Sequence, residues 1–533
     1  MPAPPPYGII YNWDGAPHGY GEVPQSLEHF LAKTYAPLQN TQVGAHFWCV
    51  GEHAARWPSQ VLELLGDVHQ RRYENAYTYL FTENVRQMLE RGEDPQAGIL
   101  RRGHELGLQV YASIRMNDNH FNGAQVEDLS TLHHTEMTQL RRDHPEWLLG
   151  KETSEWFALS WNFAVPQIRQ HRFAHIAEVC RNWEWDGVEL DWQRHAFHLP
   201  QDQGYRLRYA LTDLQRAVRR LTDELAQKRG RPFYLAARVA GDLDMCLRLG
   251  YDLPTWVEEG LVDLLIPAGG AATDPAVDVA GFVDLCRPRG IPVYPGFDGA
   301  LPDPFVGPED ARTKDRMRTR AIASRHYQLG ATGIYVFNWH ADADLRRDLL
   351  TQIGSPQTLR HTDQIHAATH RFLHRQGEWR GAYDNDRLWG EVPVALKPTL
   401  TGCGPTAVLH LAEDLRADPP RELLLRVRLD QWVRGDQVRV KWDGIELGEM
   451  EVRYCFASDP HRISDVHGAA WLCRSLAPTQ ADPGAHKVEI ILDQRHPQVA
   501  CDLVLTDIEL VIRWLGGDAI GNPQPMTEAR VQK

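Results

Sequence analysis

The chain is poor in cysteine, with eight in 533 residues, at positions 49, 180, 246, 286, 403, 455, 473 and 501. None stands in CxxC or other zinc spacing, which excludes a thiolate metal cluster, and the scatter fits reduced core thiols better than a disulfide framework. A pair within Cys403–Cys501 stays open. Long apolar runs are lacking too: no window approaches the roughly 18 continuous apolar residues needed to cross a bilayer, so no membrane span is expected. Nor is there a basic run. Lys and Arg number 57 against 71 Asp and Glu, and the net charge of -14 is spread along the chain, which argues against a nucleic-acid partner. The start, MPAPPPYGII, has no positive segment followed by an apolar one. A cytoplasmic location is favoured on that ground, with secretion as the alternative if a leader was removed. Several catalytic signatures are also missing: no GxGxxG follows the first apolar run, and GxSxG, HEXXH and a His-x-His first strand are absent. Dinucleotide binding and serine acyl transfer are thereby disfavoured, and no cofactor is expected.

What is present is an ordinary globular composition, 43% hydrophobic and 24% charged, on a chain longer than one core usually holds. Two domains are expected. Eight short apolar runs alternate with helix-period segments through the first 340 residues: GIIY (8–11), QVGAHFW (42–48), QVYASI (109–114), GVEL (187–190), YLAARV (234–239), VDLLI (262–266), PVY (292–294) and GIYVF (333–337). Helical stretches are read at 84–106, 165–183, 205–228, 275–289 and 308–329. This is the pattern of an α/β fold, a (β/α)8 TIM barrel, over residues 1–355. The long link from Asn117 to Asp186 reads as an elaborated loop over the barrel mouth. Residues 356–380 read as a linker with a connecting helix at Thr362–Gly377. From 381 to 516, alternating runs such as ELLLRVRLD and HKVEIILD predict an antiparallel β-sandwich, followed by a flexible tail at 517–533. The sandwich reads as a packing module, with sugar binding or oligomer formation as alternatives, and a homo-oligomer is compatible with the sequence.

Barrel enzymes place their chemistry at the C-terminal ends of strands. Those ends supply Asn12 and Asp14, Trp48 and Glu52, Arg115, Asn117, Asp118 and His120, then Glu189, Asp191, Gln193 and His195, then Arg238, Asp298, Asn338, Trp339, His340 and Asp342. Glu189 and Asp191 lie two apart on one strand, so both face the barrel interior, and one carboxyl should titrate high. Glu189 is read as either a buried partner of Arg115 or Arg238 or a catalytic group, and Asp191, nearer the rim, as catalytic or supporting. Asp118 is a hydrogen-bonder, an acid/base group or a helix cap. Trp48 and Trp339 are read as sugar platforms or as packing, and the surplus of tryptophan, 17 in all, suits either. The histidines 195, 198 and 340 with Asp118 or Asp342 form a weaker metal-ligand alternative.

The stretch WDGVELDWQRH, Trp185–His195, comes close to the DGxDxDxE motif of chitinase-type glycoside hydrolases. Asp186, Glu189 and Asp191 fall on its acidic positions, while Gln193 replaces the catalytic glutamate, which excludes chitinase chemistry. The run ALSWNFAVPQIRQHRFAHIAEVCRNWEWDGVELDW, Ala158–Trp192, together with RMNDNH (115–120) and WVEEGLVDLLIPAGG (256–270), resembles the family-10-like glycosyl hydrolase group of barrel proteins. That resemblance covers most of residues 7–345 and implies a glycoside hydrolase barrel with Asp191 at the active site. The function expected is cleavage of a glycosidic bond in an oligo- or polysaccharide by paired carboxylates. Asp191 would serve as nucleophile or base and Asp298 as acid, with Glu189 and Asp118 in reserve. Substrate contacts would come from Asn12, Asp14, Trp48, Arg115, Asn117, His120, His195, Arg238, Trp339 and His340. The alternatives are a metal-dependent barrel hydrolase and a non-catalytic carbohydrate-binding barrel.

Overall fold

A computed structural model describes residues 3–13, 25–51, 53–117, 119–121, 123–269, 273–298, 309–339, 344–370, 391–399, 402–454 and 468–514. The chain divides into two compact units, one drawn from 1–300, 329–354 and 374–386 and the other from 301–328, 355–373 and 387–533. Among the described residues no helix is long and apolar enough to cross a membrane.

The first unit is built on eight parallel strands among the described residues: β1 (Ile9–Trp13), β2 (Val43–Cys49), β3 (Gln109–Arg115), β4 (Gly187–Asp191), β5 (Tyr234–Ala240), β6 (Leu264–Ala268), β7 (Gly296–Asp298) and β8 (Ile334–Phe337). They lie in the order β6-β5-β4-β3-β2-β1-β8-β7. The ring closes where Leu265 of β6 bridges to Val293, with Leu265 N donating to the Pro292 carbonyl at 3.1 Å. The seventh run is therefore used twice: residues 292–294, read from sequence as the strand, meet β6, and residues 296–298 meet β8. This is a TIM barrel, and its strands read as continuous apolar runs because both faces are covered. The helix expected over 84–106 is two helices, Ala76–Glu90 and Pro95–Glu105. Gly92, at φ +76°, ends the first, and Asp94 caps the second with Pro95 in its opening turn.

Inside the barrel an aromatic floor forms from Tyr7, Phe47, Tyr111, Tyr234, Tyr294 and Tyr335. The Phe47 and Tyr111 rings stack at 4.3 Å. Gly187 of the DG motif is required by this floor, since a Cβ there would sit 2.3 Å from the Tyr111 ring and 2.5 Å from the Tyr234 carbonyl. Asp186 acts at the entry to β4: its Oδ2 accepts from His104 Nε2 at 2.8 Å and from Val110 N at 2.7 Å, and its Oδ1 from Arg231 at 3.1 Å. The first acid of the motif thus fixes strand edges at the end of β4 remote from Asp191. Above the floor, parallel register sorts inward side chains into rows. Ser113, Glu189 and Ala236 are neighbours in one row, and Arg115, Asp191 and Arg238 in the next, toward the C-terminal mouth.

The second unit contains two antiparallel sheets, a β-sandwich. Its strands are β9 (Gln364–Ala367), β10 (Val394–Leu396), β11 (Thr406–Leu411), β12 (Glu422–Asp430), β13 (Gln437–Trp442), β14 (Ile445–Glu446), β15 (Glu451–Tyr454), β16 (Ala470–Ser475), β17 (Gly484–Gln494) and β18 (Leu503–Arg513). The larger sheet runs β10-β18-β12-β16-β15 with β9 also on β18, and the smaller β11-β17-β13-β14. Leu425, Val427, Ile508 and Leu510 meet Val440, Trp442, Ile490 and Leu492 in the apolar layer between them. The helix expected from Thr362 is instead strand β9, because pairing with β18 overrides local propensity; the remainder of that segment, 371–380, lies outside the described residues. The helix Ala311–Gln328, between β7 and β8 in the chain, belongs to this unit. Its Met317 packs with Ile365, Leu424, Trp471 and Val511. Beside it lies a buried ion network: Lys314 Nζ is 2.6 Å from Glu509, Arg426 pairs with both Glu509 and Glu309, and Arg513 reaches Glu309 at 2.8 Å.

Candidate functional site

Glu189 and Asp191 both point into the barrel, as their spacing on β4 requires, but their partners differ from those expected. Asp191 is the carboxylate held by a guanidinium. Arg238 Nη1 lies 3.0 Å from both of its oxygens, and the two side chains have no exposed surface. Asp191 Oδ1 also accepts the backbone N–H groups of Gln193 at 3.0 Å and Arg194 at 2.9 Å, so the turn leaving β4 wraps around it. Arg238 then donates through Nη2 to the Gly269 carbonyl at 2.9 Å and lies 3.9 Å from Asp298 Oδ2 on β7.

Glu189, one row deeper, makes neutral contacts. Its Oε2 accepts from Ser113 Oγ at 2.5 Å and Asn12 Nδ2 at 2.9 Å, and its Oε1 from the Tyr335 hydroxyl at 2.8 Å. Complete burial, and secondarily the nearby Asp191 charge, push its carboxyl up to about 7. The expectation that Glu189 is tied to Arg115 or Arg238 is therefore corrected. Both arginines share the Asp191 row, and the Glu189 row supplies hydroxyl and amide donors instead.

Phe337, at the end of β8, is the centre of the charged layer. The guanidiniums of Arg238, Arg115 and Arg194 lie 4.2, 5.1 and 5.6 Å from its ring centroid, which places each within cation–π reach. Ser113, Tyr335, Phe337 and Arg194 were not singled out from sequence. Ser113 and Phe337 were findable, since Ser113 lies in register with Glu189 and Phe337 in register with Asn12 and Asp298, whereas Tyr335 pairs with Ile10 and Gly296, which carry no such signal.

Asn117 is fully buried and holds loops together: its Nδ2 donates to the Trp161 carbonyl at 2.8 Å and to the Phe197 carbonyl, and its Oδ1 accepts Trp161 N at 2.9 Å. His195 takes the left-handed backbone conformation, φ +52°, and its Nδ1 accepts from Asn119 N at 2.9 Å. His120 stands edge-on to it at 5.5 Å, with its Nδ1 3.8 Å from Glu136. The two tryptophans do not reach this cluster. Trp48 alternates outward from β2, packs edge-on against Phe30 at 5.7 Å and donates to Gln96 at 3.0 Å, because position 47 takes the inward place. Trp339 is fully buried, donates to the Arg346 carbonyl at 2.8 Å and lies beneath that arginine's guanidinium at 4.4 Å. The reading of both as sugar platforms is corrected to packing. Asp14, Glu52, Asp118, His340 and Asp342 lie outside the described residues. Among the described residues no group of three or more His, Cys, Asp or Glu has the arrangement of a metal site.

Chemically, this is a layer in which Asp191 and Asp298 approach one guanidinium from two sides, with a protonatable Glu189 behind.

No family model matches the chain, and no curated protein matches it. The resemblance of Ala158–Trp192 to the family-10-like group therefore has no family match behind it. Among solved structures, a cycloisomaltooligosaccharide glucanotransferase of Paenibacillus sp. is similar at 10% identity and TM-score 0.35, over 94% of this chain and 57% of that one. Alpha-L-fucosidase isoenzyme 2 of Paenibacillus thiaminolyticus is similar at 14% identity and TM-score 0.39, over 65% of this chain and 48% of that one. An Anoxybacillus alpha-amylase is similar at 11% identity and TM-score 0.36, over 92% and 98%. The chain spans about half the length of the first two.

Proposed function

We propose that the barrel is a glycoside hydrolase acting on an oligo- or polysaccharide, with Asp191 as nucleophile or general base and Asp298 as general acid. The observation that supports this reading is the convergence of these two carboxylates on Arg238 at the C-terminal ends of β4, β5 and β7. One acid protonates the leaving glycosidic oxygen while the other attacks the anomeric carbon or deprotonates the attacking water. Asp298 suits the acid role because it has the more open position, with 7% of its side chain exposed against none for Asp191. Arg238 provides the fixed positive charge that holds Asp191 in place. Glu189 has the proton affinity of an acid but stands behind this layer, among Asn12, Ser113 and Tyr335.

The test is a screen of aryl glycosides and polysaccharides, repeated on the best substrate with Asp191→Asn and Asp298→Asn. Each variant is expected to lose about 10³-fold in kcat, roughly 4 kcal/mol of transition-state stabilisation. Retention of full activity by both variants places the chemistry elsewhere. A second reading, a barrel that binds sugar without turnover, is favoured by one observation: both oxygens of Asp191 are already engaged, and it has no exposed surface. That reading predicts saturable sugar binding with no product.

A further inference from the structure

The second unit contains a cleft of about 400 Å³ lined by its own residues, within the roughly 300–1,000 Å³ range of small-molecule sites. It lies at the C-terminal end of the helix Ala311–Gln328, beside the residues that follow β11 and β18. Its aromatic side is formed by Tyr327, His361 and Trp514, the last two rings packed at 4.8 Å. His361 is held at φ +61°, a left-handed conformation uncommon outside glycine.

The polar groups are of mixed sign. Glu413 and Asp414 are two of the lining carboxylates. Glu413 accepts at 2.8 Å from Ser324 Oγ and at 2.8 Å from Gln364 Nε2, both neutral donors. Asp414 accepts the backbone N–H groups of Arg416 and Ala417, at 3.1 Å each. The Arg360 side chain, 68% exposed, lies 3.5 Å from a third lining carboxylate, Asp418, which His361 also meets through Nε2. An anionic ligand would be repelled by Glu413, Asp414 and Asp418, and a cationic one has no acceptor to offer the Arg360 donor, which Asp418 holds at the cleft. An apolar ligand would strip water from two carboxylates and give nothing in return. A hydroxyl both donates and accepts, so it satisfies carboxylate and guanidinium alike, and a pyranose ring adds an apolar C–H face for the aromatic residues.

We propose that this cleft is a binding site for a neutral saccharide, taking one or two sugar rings and built from residues of the second unit alone. The proposal does not depend on the chemistry of the barrel.

The test is titration calorimetry on the full chain carrying Asp298→Asn, with maltohexaose, cellohexaose and xylohexaose as neutral probes and the hexamers of chitosan and galacturonate as charged ones. A neutral probe is expected to bind. Ala417→Trp fills the cleft from an exposed lining position without removing a side-chain hydrogen bond, and should abolish one binding site per chain at unchanged melting temperature. Arg360→Ala should weaken the same site about tenfold, the loss of one charged hydrogen bond. Turnover of any substrate found for the barrel should be unchanged in Ala417→Trp alone. Failure of all three neutral probes to bind, a number of binding sites per chain left unchanged by Ala417→Trp, or binding confined to the charged hexamers overturns the proposal. An inactive barrel leaves each of these outcomes readable.

Discussion

Replacing Asp191 by asparagine strips the counter-charge from a guanidinium that has no exposed surface. Arg238 would keep the Gly269 carbonyl at 2.9 Å and the more distant Asp298 at 3.9 Å, and the new amide oxygen would still accept one hydrogen bond. Breaking a buried ion pair from one side costs about 3–5 kcal/mol, and the retained hydrogen bonds put this case near about 3 kcal/mol. For a unit of roughly 300 residues, the usual unfolding entropy of about 2 cal/mol/K per residue converts that into a fall of about 5 °C in Tm. Glu189→Gln is the informative contrast. Its donors Asn12, Ser113 and Tyr335 are neutral, a glutamine oxygen can accept from the first two, and the Tyr335 hydroxyl can turn to accept from the new amide. Removing the charge also removes the repulsion from Asp191, so Tm at pH 8 should hold or rise. Scanning calorimetry of both variants at pH 8 decides the matter. A drop of several degrees in Glu189→Gln with Asp191→Asn unchanged would refute the assignment of Arg238 to Asp191.

The Glu189 carboxyl titrates about 7 in the folded protein against 4.5 ordinarily, so its protonated form is the one the native state prefers. That contribution is complete below about pH 4.5 and is lost as pH rises through about 7, so the stability gain of Glu189→Gln over wild type should grow between pH 5 and pH 8 in denaturant titrations; a constant difference would contradict it. Activity on any glycoside found should survive exhaustive EDTA treatment, because the carboxylates are handled by Arg238, and loss with recovery on adding zinc would favour a metal-dependent mechanism. Glu509→Gln should destabilise the sandwich by about 3 kcal/mol or more in urea melts, since Lys314 and Arg426 both rely on that carboxylate, whereas an unchanged midpoint would show the network to be dispensable.

The period of two in WDGVELDW was enough to turn Glu189 and Asp191 inward, and the alternation of apolar runs with helical segments was enough to read a barrel and a sandwich. Partner choice was not legible, because it depends on strand register. A row that joins Ser113 to Glu189 and Arg115 to Asp191 differs from its alternatives by how far neighbouring strands slide, and no single strand states that. The same lack hid Trp48: an aromatic residue at a strand end reads the same whether it faces the mouth or the helix layer, and only Phe47 stacked on Tyr111 settles the alternation. Strand β9 escaped for another reason. Its four residues become a strand by pairing with β18, well over a hundred positions further along the chain.

The helix Ala311–Gln328 sets an order of assembly. A ribosome completes it, and then β8, long before it reaches Glu509, the carboxylate that receives Lys314. Through that interval the nascent chain carries a lysine and a glutamate, Lys314 and Glu309, whose buried partners have yet to be made. Nor does any single cut in the polypeptide free one unit from the other, because the chain enters the second, goes back to the first for β8 and leaves again. A fragment ending at residue 354 would keep the helix and lose every ion pair that β12 and β18 give it. Domain shuffling by a single crossover would meet the same obstacle.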